Sequence, residues 1–248
     1  NFSHCSHEEA LKIITIVAEL NLELDTHVAI MGDLQGPKLR IGLVENNSFL
    51  QKGDNIVVQH GHNKSNNKQI FVNYKTISHD VKCGDKILLD DGKIVLKVMH
   101  KNSNLIDCCI IQGGELKEKK GLNLPNTKIS IPTITNKDKI DLDFCIKNKV
   151  EWIALSFVRN GKDVLDLKEI LKKQNSPSRI IAKIEKPEAI KNLNSIIQHS
   201  DALMVARGDL GVEVPTQKVP VLQKKIVRAA RRNAKPVIIA TQVMESMM

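Results

Sequence analysis

The chain has 248 residues, 42% of them hydrophobic, and a formal net charge of +9. No apolar run approaches membrane-span length, the start shows no secretory signal, and five cysteines without metal-ligand spacing suit a reducing, cytoplasmic setting. Aromatic residues make up only 3%, too few to stack bases, so the basic balance fits phosphorylated small molecules better than nucleic acid.

The first predicted element is a helix. Ser6 with Glu9 makes a capping box, and Ala10, Leu11, Ile14, Val17 and Ala18 form an apolar stripe behind it. Val28–Met31 then reads as a strand closed by Asp33 and Gln35. From residue 38 to 132 the texture changes to short runs: Asn55–Gln59, Gln69–Asn73, Lys86–Leu89, Lys93–Val98 and Leu105–Ile111. Gly53-Asp54, Gly84-Asp85, Asp91-Gly92 and Gly113-Gly114 punctuate them, which predicts a small all-β domain over 38–132, inserted between 1–37 and 133–248. Asp91-Gly92 marks a hairpin, and the polar, aperiodic stretch His60–Lys68 reads as a mobile loop tip. Such an insertion, hanging over an active face, would serve as a lid.

Thr135 with Asp138 repeats the capping pattern ahead of Ile140 and Phe144. Four more strand-like runs follow: Trp152–Phe157, Ile180–Ile184, Leu203–Ala206 and Val237–Ala240. Helix-length periodic segments separate them, the pattern of a parallel sheet of strand–helix units. Pro187 suits a first helical position, with Ile190, Leu193 and Ile197 behind it. After Pro220, Leu222, Ile226 and Ala230 mark a buried helix face. The opposite face carries Lys224, Lys225, Arg228, Arg231 and Arg232; such a cluster could touch phosphates, but it reads first as a solvated face.

Every strand run ends in polar residues: Asp33 and Gln35, Ser156 and Arg159, Lys183 and Glu185, Arg207 and Asp209, Thr241 and Gln242. Polar groups at the carboxyl ends of parallel strands predict the active face of a TIM barrel, although an open doubly wound sheet binds ligands at the same ends. Lys183 and Glu185 project from one side of their strand, a costly arrangement unless a ligand or metal uses it. Asp209 adds a second carboxylate beside Gly208 and Gly211. Two carboxylates, a lysine and glycine-exposed amides suit a hard cation carrying an anionic substrate; a salt bridge closing a strand end is the plainer alternative.

Seven motifs, in order and spanning the chain, carry a family resemblance: Asn1-Phe2-Ser3-His4, Gly32–Arg40, Lys120–Pro125, Leu155–Arg159, Ala182–Glu185, Met204–Gly211 and Ala240–Met247. Together they resemble pyruvate kinase, with the wording around Asp33 and Lys38 similar to the bacterial form not activated by fructose bisphosphate. The resemblance implies a partial TIM (β/α)8 barrel with the inserted β domain, and transfer of the phosphoryl group of phosphoenolpyruvate to ADP as the last step of glycolysis. It implies Glu185 and Asp209 as ligands of magnesium or manganese, and Lys183 facing the phosphoryl group and the enolate. It places the amides of Gly208 and Asp209 at the substrate carboxylate, Thr241 at the protonated carbon, and Ser156 beside Lys183. Asn1, Ser3, Asp33 and the Leu34 backbone correspond to a monovalent-cation site, and Asn1, His4, Arg40 and Lys120 to nucleotide contacts.

Lys38 stands where potassium-requiring members carry glutamate. With Asp33 as its counter-ion, it is expected to make potassium dispensable. Cys5 replaces a usual glycine, and Lys186 a common asparagine. The resemblance also implies a segment of a longer homotetrameric enzyme, lacking barrel strands at both ends and a C-terminal domain, and inactive by itself. Two other functions fit the residues less fully. A magnesium-dependent lyase of the related phosphoenolpyruvate/pyruvate barrels would need neither the insertion nor Lys120. A non-catalytic basic binding protein would show no metal-dependent activity.

Overall fold

The first elements are α1 (His7–Glu23) and β1 (Met31–Asp33). This computed structural model describes residues 1–46, 48–125 and 127–241. Ser6 and Glu9 close the expected capping box on α1. The stripe behind it is narrower than predicted: Ala10 and Ile14 pack on the core, whereas Leu11 is 45% exposed and Ala18 is exposed too. β1 starts later than the run Val28–Met31 predicts, for a local reason. The Asn21 amide binds both backbone groups of Val28, accepting its N–H at 2.8 Å and donating to its carbonyl at 3.0 Å. A residue so engaged has nothing left for a ladder.

The chain divides into two compact units. The smaller comprises Lys38–Ile131 together with Val212–Val214. Its elements are β2 (Phe49–Leu50), β3 (Asn55–His60), β4 (Gln69–Val72), α2 (Ile77–Asp80), β5 (Lys86–Leu89), β6 (Ile94–Lys101), β7 (Leu105–Gln112), β8 (Gly114–Glu115) and β9 (Leu122–Asn123). Six of them form a sheet in the order β4-β3-β7-β6-β5-β9, curled around Val58, Ile70, Ile87, Leu96 and Ile106. The hairpin at Asp91-Gly92 is present: Asp90, Asp91 and Gly92 all take positive φ, and Leu89 pairs with Ile94. His60–Lys68 departs from the free loop tip expected of it. Ser65 in its middle is fully buried, bridges to Val44 and accepts the Phe71 N–H on its hydroxyl at 2.9 Å.

The larger unit comprises Asn1–Pro37, Pro132–Gly211 and the stretch from Pro215 onward. After β9 the chain forms α3 (Asn136–Lys147), β10 (Trp152–Leu155), α4 (Gly161–Lys173), β11 (Arg179–Ile184), α5 (Pro187–Lys191), α6 (Leu193–His199), β12 (Ala202–Val205), α7 (Arg207–Glu213), α8 (Val219–Arg232) and β13 (Val237–Ile239). The single helix predicted after Pro187 is two, divided at Asn192, whose amide donates to the Arg159 carbonyl at 2.9 Å.

The sheet runs β1-β10-β11-β12-β13, parallel throughout. Spatial order follows chain order, with no reversal at which a doubly wound sheet would place its crevice. The arrangement is therefore five consecutive strands of a TIM-type barrel. Alternation sorts the side chains. Ile153, Leu155, Ile180, Ala182, Ile184, Leu203 and Val205 join the helices in the main core, and Ala154, Ile181, Ala202 and Met204 cluster on the other face. Lys183 follows Ile181 on that second, inner face, where β11 ends.

Candidate active site

Lys183 is the centre of the inner-face cluster. Its Nζ lies 2.9 Å from Asp33 Oδ1, 2.9 Å from Ser156 Oγ and 3.2 Å from Glu185 Oε1, three groups carried by three successive strand ends. Burial alone would favour losing its proton, but Glu185 and Asp33 override that and hold the ammonium well above the ordinary lysine range. Ser156 orients the group: its hydroxyl donates to the Leu34 carbonyl at 2.7 Å while accepting from Lys183. The lysine therefore has one neutral and two anionic partners, all fixed to strand termini.

Glu185 is 1% exposed. Burial raises its pKa, Lys183 opposes that, and the neighbouring Asp209 carboxylate raises it again, to about 7. Its second oxygen accepts the Phe157 N–H at 2.8 Å. Phe157 points that N–H inward by adopting a left-handed backbone, φ 55°, which costs a non-glycine residue about 1–2 kcal/mol. Strain of this kind persists where the surroundings over-determine it. Directly beneath lies Gly36, also left-handed at φ 68°, where an added Cβ would stand 2.8 Å from the Phe157 ring and 3.1 Å from Ser156 Cβ. Asp138, fully buried, accepts the Gly36 N–H at 2.9 Å and the Thr135 N–H at 2.8 Å, fastening this loop to the start of α3.

The first residues of the chain are fastened on two sides. Phe2 N–H donates to the Asp33 carbonyl at 3.0 Å, and the Asn1 amide donates to Asp33 Oδ2 at 3.1 Å. Lys137 donates to the Phe2 carbonyl at 2.8 Å and to Asp141 at 2.6 Å, while His7 meets the other Asp141 oxygen at 2.8 Å. The Ser3 N–H is held by Asn1 Oδ1. Asn1, Ser3, Asp33 and Leu34 are thus brought together, whereas the His4 side chain is exposed. Lys137 and Asp141 were not singled out from sequence; their only signal is an i,i+4 charge pair inside a capped helix.

α7 opens at Arg207, so Gly208 and Asp209 occupy its first turn, where amides lack helical acceptors. Arg207 reaches across to β13 and donates to the Ala240 carbonyl through Nε at 2.9 Å and through Nη2. It thereby anchors the residue before Thr241, which is exposed. Gln242 lies outside the described residues. In the smaller unit, Arg40 and Lys120 lie on adjacent segments joined by an antiparallel bridge between Arg40 and Gly121, with the Ile41 N–H donating to the Lys120 carbonyl at 3.0 Å. Lys120 pairs with Asp90 at 3.1 Å, and the Arg40 guanidinium donates to the Lys119 carbonyl at 3.5 Å. Lys38 is half-buried in that unit, and its carbonyl accepts the Asn73 amide. Asp33 forms an ion pair with Lys183.

Asp33 and Glu185 share the Lys183 ammonium, and the Asp209 carboxylate lies near enough to Glu185 to raise its pKa. Carboxylate oxygens such as those of Glu185 and Asp209 are of the donor type that hard divalent cations take.

A family profile described as "Pyruvate kinase, barrel domain" matches residues 1–248. Pyruvate kinases of Staphylococcus aureus strains MRSA252 and USA300 are each 42% identical over 254 residues, covering 100% of this chain and 43% of theirs. A crystal structure of a pyruvate kinase from Cryptosporidium parvum superposes with a TM-score of 0.94 at 35% identity, over 100% of this chain and 52% of that one. The chain spans less than half the length of the curated relatives it matches.

Proposed function

This chain belongs to the pyruvate kinase family, and from that membership we propose that the protein transfers the phosphoryl group of phosphoenolpyruvate to ADP, giving pyruvate and ATP. The observation that carries the reading is the Lys183 ammonium, kept charged and aimed by Asp33, Ser156 and Glu185 at one end of the sheet. Phosphoryl transfer asks little covalent chemistry of a protein and much positioned positive charge. Lys183 supplies that charge at the oxygen joining phosphorus to the enol carbon. It needs no reorganisation at the moment of transfer, because its three partners already fix it.

Glu185 and Asp209 would hold magnesium or manganese, which when bound neutralises charge on the substrate oxygens. The amides of Gly208 and Asp209 would receive the substrate carboxylate, in keeping with the positive end of a helix. Thr241 would line the place where the enolate carbon takes its proton. Asn1, Ser3, Asp33 and the Leu34 backbone would hold a monovalent cation, and Asn1 and His4, like Arg40 and Lys120 in the smaller unit, would contact nucleotide phosphates.

The test is turnover from phosphoenolpyruvate and ADP by the whole protein and by Lys183→Met. The variant keeps the length of the side chain and removes its charge, so turnover should fall about 10²–10³-fold. Product formation that does not require ADP, or a variant close to wild type, would refute the assignment.

A further inference from the structure

On the outer side of the larger unit, α5 and α6 meet α8 around a cavity of about 520 Å³. Its walls include Ile190, Leu193 and Ala229, and five cations line it: Lys191, Lys224, Lys225, Arg228 and Arg232. No carboxylate lines it. Among the described residues none of the five enters an ion pair. The face that reads first as solvated is therefore one wall of a concave site.

The charge pattern works against the helix that carries it. α8 contains no aspartate or glutamate from Val219 to Arg232. Lys224, Arg228 and Arg232 follow one another at i, i+4 and i+8, stacked along roughly 12 Å of one helix face. Like charges at that spacing destabilise a helix. The helix dipole favours Arg231 and Arg232 in the last turn, but Lys224 and Lys225 lie near the middle, beyond its reach. Lys191 faces the row from the opposite wall, so the repulsion is concentrated around the cavity.

We propose that this groove binds a ligand carrying two or more phosphate groups, at a site separate from the one at the strand ends. A volume of this size is that of a small-molecule pocket. Guanidinium forks match phosphate oxygens in pairs, and lysines add compact charge beside them. A row of cations about 12 Å long, opposed by Lys191, accommodates more than one anionic group, and the apolar walls accept the carbon skeleton between them. No phenylalanine, tyrosine or tryptophan lines the cavity, so it offers no platform for stacking a base.

Two sources share this chemistry, an organic phosphate ester and inorganic oligophosphate. Calorimetric titration of the whole protein, in magnesium-free buffer at fixed ionic strength, uses tripolyphosphate and an aliphatic bisphosphate as probes. At least one should bind saturably at one site per chain. Tighter binding of the bisphosphate assigns the groove to an ester, and tighter binding of tripolyphosphate to the inorganic ion. Lys224→Glu and Arg228→Glu should each weaken binding tenfold or more. Arg231→Glu alters the net charge equally on the same helix but lies off the cavity, and it should stay within twofold of wild type. Lys224→Gln and Arg228→Gln give the same reading if charge reversal harms folding. Failure of both probes to bind saturably, or equal weakening by Arg231→Glu, overturns the proposal. Because the titration reads binding rather than turnover, its outcome is independent of the catalytic assignment.

Discussion

Gly36→Ala tests how far Lys183 depends on the loop beneath it. The glycine has φ 68°, and an alanine there would cost about 1–2 kcal/mol in backbone strain. The new methyl would stand 2.8 Å from Phe157 Cδ2 and 3.1 Å from Ser156 Cβ, both closer than ordinary contact. Displacing a packed neighbour typically costs about 1–3 kcal/mol, so the expected destabilisation is about 2–5 kcal/mol. The neighbours that must yield are not interchangeable. Ser156 holds Lys183, and Phe157 donates to Glu185, so relief of the clash moves both ends of the Lys183–Glu185 ion pair. Turnover per folded molecule should fall at least tenfold, with phosphoenolpyruvate affinity changing less. The assay is urea unfolding followed by far-UV circular dichroism, with turnover measured on the same preparation. A variant less than about 1 kcal/mol destabilised, with turnover unchanged, would refute the chain of contacts from Gly36 to Lys183.

Glu185→Gln and Asp209→Asn should each lower turnover by about two orders of magnitude and weaken manganese binding, read by electron paramagnetic resonance; normal values in either would remove that residue from the cation site. Burial and Asp209 raise Glu185 to about 7. Protons should therefore compete with the cation below that value, costing about tenfold in manganese affinity per pH unit, and a flat profile from about pH 5.5 to 8 would contradict this. The sign for stability is the reverse of the usual carboxylate case. The metal-free native state holds a proton that the unfolded chain has lost above its ordinary value of 4.5, so this group's contribution to stability falls as pH rises from there to about 7. The whole protein should turn over without potassium, and Lys38→Glu should make it depend on added potassium at fixed ionic strength; a wild type silent without potassium would end that idea.

What could be read from the residues was mostly what repeats or alternates. The two capping boxes, the parallel strand–helix units and the placing of Lys183 and Glu185 on one side of their strand follow from local spacing, and the structure has all three; the spatial order of the strands, which separates a barrel from a doubly wound sheet, does not. The start of β1 did not follow, because one side chain seven residues upstream, Asn21, takes both backbone groups of Val28. The α1 stripe was overread because periodicity says which residues share a face, not how wide a seam the sheet offers. At the site, Asp33, Ser156 and Lys183 were legible as polar ends of apolar runs. The left-handed Phe157 was not: nothing in a phenylalanine between serine and valine announces a positive φ. Lys137 and Asp141 hold the start of the chain through a carbonyl, a contact that leaves no mark on residue type.

The Asp138 carboxylate has a consequence for how so large an insertion is tolerated. It accepts one amide from Gly36, just before the chain leaves the parallel sheet's unit at Lys38, and another from Thr135, just after the chain returns. Departure and return are stapled to a single side chain, so within the larger unit the excursion is equivalent to a closed loop. The entropy of closing a loop grows only with the logarithm of its length, and here the ends are already fixed. The clasp itself makes no demand on what is spliced between those two amides. A short linker, or a different domain with adjacent termini, would satisfy the same clasp, which makes residues 36 and 135 the natural joints for grafting.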